Sequence, residues 1–187
     1  KAEIHPIAGT FKRTGDDLVD SEKAIKLFKD DKENSEHMML VDLARNDLSR
    51  TCSNVKVEKD REIQFYSHVI HLVSKVTGEL KSYSRDIIGS TFPAGTLSGA
   101  PKHMAMKLIE KYEQHNRSFY GGAIGFIGFD NNFNHAIMIR SFLSKNQRLF
   151  LQAGAGVVSK SDPRNELQEV YNKIGALLKA LEKAEEI

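Results

Sequence analysis

A chain of 187 residues, 40% hydrophobic and 28% charged, can bury one substantial core and has the balance of an ordinary globular protein. Its formal net charge is +2 and its basic residues are dispersed, which excludes nucleic acid or a membrane surface as the main partner. A single cysteine, Cys52, excludes an internal disulfide framework and suits a cytoplasmic location, and no apolar run approaches the ~20 residues of a membrane span. The amino terminus, Lys1-Ala2-Glu3-Ile4-His5, has neither an initiator methionine nor a signal-peptide pattern, so the expectation is a segment of a longer protein.

In chain order, Asp20–Asp31 reads as a first helix capped by Asp20 or Ser21, and Glu33–Leu48 as a second. Strands follow at Val55–Glu58 and Val69–Leu80, the latter rich in β-branched residues. Phe92–Lys102, with two prolines and small turn-formers, is a loop, and Pro101 suits the first turn of a helix over Lys102–Tyr112. Strands over Tyr120–Phe129, Ala136–Leu143 and Leu149–Val158 form an antiparallel meander, its first turn at Asp130-Asn131-Asn132. Asp162 caps a last helix from Pro163 to about Glu185. This pattern predicts an α+β fold with antiparallel sheets and flanking helices, as one compact unit without a linker.

Two helices carry carboxylates at i,i+3 spacing. On the second, Glu36 projects among the inward Leu40, Leu43 and Ala44, with Glu33 one turn earlier. On the last, Glu166, Glu169 and Lys173 border an apolar stripe. Two such pairs suit a hard divalent cation such as Mg²⁺, although solvated or ion-paired glutamates are the commoner arrangement of this pattern. The run QAGAGV (Gln152–Val157) permits close backbone approach to an anion, or equally a bulge, and fits no nucleotide-binding fingerprint. Arg140, alternating with Met138, suits a carboxylate, or else the surface end of a strand. His71 lies in an apolar strand, where a core histidine is more common than an acid catalyst.

Together these segments resemble the chorismate-utilising enzymes. The matching stretches are PIAGT (Pro6–Thr10), EHMMLVDLARNDLSR (Glu36–Arg50), HLVSKVTGEL (His71–Leu80) and FPAGTLSGAPK (Phe92–Lys102). They continue as YGGAIGFIG (Tyr120–Gly128), AIMIRS (Ala136–Ser141), QAGAGVVSKSDP (Gln152–Pro163) and the spaced Glu166, Glu169 and Lys173. The resemblance implies part of a two-sheet sandwich that binds chorismate. It implies magnesium held by Glu36 and Glu169 with Glu33 and Glu166 close by, and an enolpyruvyl carboxylate gripped by Tyr120, Arg140 and the Gly154, Ala155 and Gly156 amides. Gly95 and Thr96 would line the ring pocket, Lys173 would stand near metal and carboxylate, and His71, with Glu3 sharing the task, would protonate the departing hydroxyl.

Within the family, Ala8 separates branches. Aminodeoxychorismate synthases commonly place a nucleophilic lysine in this slot, whereas PIAGT resembles the anthranilate synthases, which take ammonia from a glutamine amidotransferase subunit. Phe11 and Ser49 depart from the family pattern without touching the metal or anion residues. The alternatives are a folate-branch aminodeoxychorismate synthase or a non-catalytic chorismate- or metal-binding fragment.

Overall fold

Strand β4 (Val69–Leu80) organises the first half of the chain in the computed structural model, which describes residues 1–81, 83–159 and 161–186. Along one edge β4 pairs antiparallel with β3 (Cys52–Phe65) from Cys52↔Leu80 to Phe65↔Ile70. Its other edge is shared end to end by β1 (Ala2–Ile4), with Glu3 opposite Thr77, and β2 (Ile7–Lys12), with Thr10 opposite His71. β3 extends well beyond the expected Val55–Glu58. Its charged Lys59–Glu62 stretch hides the alternation, yet β4 supplies a partner for the whole length, with register shifts that absorb extra residues.

Helices α1 (Asp17–Lys29) and α2 (Asp31–Ser49) cover one face of this sheet. Ala24 and Leu27 pack on Ile70 and Leu72, and Val41, Ala44 and Leu48 are buried on α2. Fully burying a side chain such as Leu27, Ile70 or Leu72 contributes about 1.5–3 kcal/mol, so this seam dominates the unit's stability. α1 starts earlier than expected because Asp16 is its cap, accepting from Leu18 and Val19 amides. Asp20 is instead buried, accepting from the Thr14 amide and hydroxyl at 2.8 Å each and from Arg13 Nε at 2.9 Å. Asp30 caps α2 through the Lys32 and Glu33 amides. The buried stripe of α2 is His37, Val41, Ala44 and Leu48, one position off the expected Leu40 and Leu43, which are only half-buried. α3 (Ser84–Thr91) closes this unit.

A second compact unit begins at Phe92, where the sequence predicts a single one. The separation has a local cause: every described strand after Phe92 pairs only with its sequence neighbour. A one-turn helix α4 (Gly95–Ser98) interrupts the expected loop, and Pro101 is the cap of α5 (Lys102–Tyr112) rather than its first helical residue. β5 (Ala123–Ile127) and β6 (Phe133–Ile137) form a hairpin about the predicted Asp130–Asn132 turn. β7 (Leu143–Lys145) and β8 (Arg148–Phe150) form another, joined by Asn146 and Gln147, both at positive φ. The long strand expected to Val158 therefore stops at Phe150, because the glycine-containing run beyond it has no ladder partner. The meander thus resolves into two separate hairpins. α6 (Pro163–Glu185) follows with Asp162 as cap and Pro163 at its start, as predicted, and Lys160 of the preceding motif lies outside the described residues. No helix among the described residues is long and apolar enough to cross a membrane.

Candidate active site

In the first unit His71 and Glu33 lie beside a bulge in β2. The register slips between Ala8 and Thr10, leaving Gly9 unpaired at φ +77°. A side chain at Gly9 would stand 2.9 Å from Leu27 Cδ1 and 3.2 Å from Glu33 Oε2, so only glycine lets the chain pass this close to α2. The Gly9 carbonyl lies 3.2 Å from His71 Nδ1, and Thr10 Oγ1 lies 3.0 Å from the same nitrogen. A carbonyl oxygen only accepts, so Nδ1 carries the proton in this contact and Nε2 is the basic nitrogen. Nε2 has no hydrogen-bond partner among the described residues, while the Tyr66 ring stands edge-on at 5.4 Å. His71 is half-buried. By strand alternation it lies on the face of β4 opposite to Ile70 and Leu72, away from α1.

Glu3 does not join it. Its partner Thr77 is six positions along β4 from His71, roughly 20 Å at strand rise. The Glu3 carboxylate instead pairs with Lys1 at 2.9 Å and with Lys75 at 3.1 Å, and Lys75 also reaches Glu58 at 3.2 Å. Hydrogen bonds from Lys1 and then Lys75 hold the Glu3 carboxyl below its ordinary range. An ionised, ion-paired carboxylate is a poor proton donor at neutral pH.

Glu36 is exposed at the amino-terminal end of α2, where Lys32 stands 3.9 Å away, and Glu33 is half-buried beside Gly9. Directly after Glu36 comes a residue not singled out in the sequence: His37, fully buried, its Nε2 2.7 Å from Ser74 Oγ. Burial pushes its pKa down. Its signal is legible in the i, i+4, i+7, i+11 spacing from His37 to Leu48.

In the second unit, Lys173 on α6 donates from Nζ to the Gly154 carbonyl at 3.0 Å and pairs with Glu169. A methyl group at Gly154 would lie 3.4 Å from the Tyr120 hydroxyl, so Tyr120, Gly154 and Lys173 form one cluster. The amides of Gly154, Ala155 and Gly156 donate no hydrogen bond among the described residues, leaving consecutive donors available to an anion. Tyr120 is buried, and beside it Gly121 and Gly122 continue the hairpin ladder through Met138. Arg140, two residues past Met138, is exposed, has no hydrogen bond or ion pair among the described residues and sits at φ +53°. The left-handed backbone there replaces the expected strand alternation with Met138. Leu97 packs against Gly121, which places the Gly95–Thr96 turn near Tyr120, with Thr96 exposed. Glu166 is half-buried and its carboxylate has no partner among the described residues. The described residues contain no group of three or more His, Cys, Asp or Glu side chains gathered to hold an ion.

The profile of the chorismate binding enzymes matches residues 1–179. Anthranilate synthase component 1 of Bacillus pumilus is 50% identical over 99% of this chain and 37% of its own length, and that of Aquifex aeolicus is 47% identical over 100% and 38%. Among solved structures, anthranilate synthase component I of Streptococcus pneumoniae superposes with a TM-score of 0.83 at 42% identity, covering 91% of this chain and 38% of its own. The menaquinone-specific isochorismate synthase of Escherichia coli gives 0.85 at 26% identity, covering 94% and 41%. The chain therefore spans well under half the length of these relatives. On the match over residues 1–179, this chain belongs to the chorismate binding enzyme family.

Proposed function

We propose that this chain is the chorismate-binding segment of an enzyme of the anthranilate synthase type, serving tryptophan biosynthesis. Chorismate and ammonia become anthranilate, pyruvate and water: ammonia adds at C2, the C4 hydroxyl leaves as the double bonds shift, and pyruvate is then eliminated. The observation that carries the reading is the second-unit cluster, in which Tyr120, Lys173 and the unspent Gly154–Gly156 amides offer hydrogen-bond donors and positive charge for a substrate carboxylate. Arg140, whose guanidinium is unpaired among the described residues, adds a bidentate donor, and Gly95 and Thr96 border the ring.

Hydroxide is a poor leaving group, so the C4 oxygen needs a proton. His71 supplies it from Nε2 as the imidazolium, with Nδ1–H held by the Gly9 carbonyl and Thr10 Oγ1 to fix the ring direction. Glu3, bound in its ion network, is left out of this role. Glu36 and Glu169, with Glu33 and Glu166 beside them on their helices, would hold Mg²⁺. Their all-oxygen donor chemistry fits a hard cation, and among the described residues Glu36 and Glu166 are not committed to close protein partners. When bound, the ion neutralises a chorismate carboxylate and withdraws electron density from the ring. The ammonia comes from a glutamine amidotransferase subunit. Ala8, which has no amine to attack the ring, separates this reading from an aminodeoxychorismate synthase.

The test is product identification with the full-length enzyme, chorismate, ammonium and Mg²⁺. Fluorescent anthranilate with equimolar pyruvate is expected. Aminodeoxychorismate without pyruvate would overturn the assignment in favour of the folate branch, and absence of Mg²⁺-dependent chorismate binding would overturn the catalytic reading altogether.

A further inference from the structure

One side chain in the second unit joins the segments that carry Thr96 and Tyr120, although neither the reaction nor the anion cluster uses it. Arg117 donates from Nη1 to the Leu97 carbonyl at 2.8 Å, fixing the carbonyl of the residue that follows Thr96 in α4. Its Nε and Nη2 grip both carboxylate oxygens of Glu113, at the end of α5. Its guanidinium also stands 5.8 Å from the centroid of the Tyr120 ring. The backbone closes the same turn, since the Tyr120 amide donates to the Arg117 carbonyl at 2.9 Å. Tyr120 and Ser98 are the only buried residues of this unit among those described, so there is little apolar packing to hold the α4 turn against the tyrosine.

A fork with this many fixed directions suits a guanidinium and no other side chain. Two of its nitrogens are spent on Glu113, which anchors the group, while Nη1 is aimed at the Leu97 carbonyl. The ion pair raises the Arg117 pKa and lowers that of Glu113, so both stay charged throughout the neutral range. The Leu97 side chain, packed against Gly121, closes the other side of the same turn.

We infer that Arg117 is a positioning residue for chorismate: it sets the distance between the Gly95–Thr96 turn and Tyr120, and with it the width of the pocket that takes the ring and its enolpyruvyl carboxylate. This inference rests on the proposed function for its substrate and on the geometry alone for its mechanical content. Acting through the α4 turn and the Tyr120 ring, Arg117 should affect ground-state binding more than the chemical step.

Two measurements on the full-length enzyme test it. In R117M, amide hydrogen exchange should accelerate in residues 94–99 and 119–122 while that of α6 stays unchanged, and this arm needs no substrate. In steady-state assays R117M should raise KM for chorismate about tenfold with kcat within about twofold, and R117K should recover part of the loss by keeping one donor. E113Q, which frees the anchor but leaves the Leu97 bond, should give a smaller rise in KM. A lowered Tm with KM unchanged would make Arg117 merely structural and overturn the inference, as would unaltered exchange at 94–99. If chorismate were not the substrate, the assay would refute the proposed function, while the exchange arm would still decide whether Arg117 holds the turn.

Discussion

Lys173 Nζ donates to the carbonyl oxygen of Gly154 at 3.0 Å while pairing with Glu169 one helical turn earlier. One ammonium thus orients a carboxylate and the glycine-containing backbone beyond β8, whose amides donate no hydrogen bond among the described residues. Lys173→Met should lower kcat/KM for chorismate by about 10²-fold, because it removes a fixed charge from a carboxylate site. Lys173→Arg should recover part of it. Initial rates, with folded content checked by circular dichroism, measure both.

His71 is held at Nδ1 by Thr10 and Gly9 and offers Nε2. His71→Ala should reduce kcat by about 10²-fold or more with little change in KM, the signature of a lost proton donor. Thr10→Val should keep the reaction but slow it less, since the Gly9 carbonyl still holds the ring. A change confined to KM in His71→Ala would remove the acid role.

Glu36→Gln and Glu169→Gln should each abolish Mg²⁺-dependent turnover while leaving the unfolding transition nearly in place, because both side chains are about half exposed. The check is to titrate Mg²⁺ in the presence of chorismate and follow the rise in Tm. Wild-type protein should gain stability and neither variant should.

Gly9→Ala should destabilise the protein by about 2–4 kcal/mol, from a left-handed backbone unfavourable to alanine and a 2.9 Å approach to Leu27. Urea unfolding measures the loss. Activity should fall even in the folded fraction, because the Gly9 carbonyl sets His71.

Asp20 is buried under hydrogen bonds from the Thr14 amide, Arg13 and the Thr14 hydroxyl, which hold its carboxyl far below the ordinary 3.8. Its folded value is depressed, so its stabilisation is complete above pH 4 and is lost as pH falls below that range. Asp20→Asn should therefore be less stable than wild type at pH 7, and the gap should narrow on acidification towards pH 2, as read by denaturant midpoints at each pH.

Strand β4 and helix α5 lie where the sequence places them because an apolar run, a proline and a turn each give a local signal. β3 was only partly legible: its pairing is set by β4, and Lys59–Glu62 shows no apolar alternation of its own. The start of α1 turned on which of several aspartates caps it, a choice made by the Arg13–Thr14 loop. In the site, residue types were readable but partnerships were not. The resemblance has Glu3 share the task of His71, but register holds their strand positions far apart, and Arg117 has no local motif to announce its grip on Leu97.

Ser74 has an evolutionary consequence. Its amide donates to the Pro6 carbonyl at the break between β1 and β2, while its hydroxyl meets His37 on α2 and accepts from the Arg61 amide on β3. Four segments of the chain thus converge on one small side chain and its backbone. Substitutions at positions 37 and 74 should be strongly epistatic, each acceptable only beside a matching change in the other. Lineages drifting apart should therefore exchange this pair jointly or keep it fixed, even while neighbouring surface positions turn over freely.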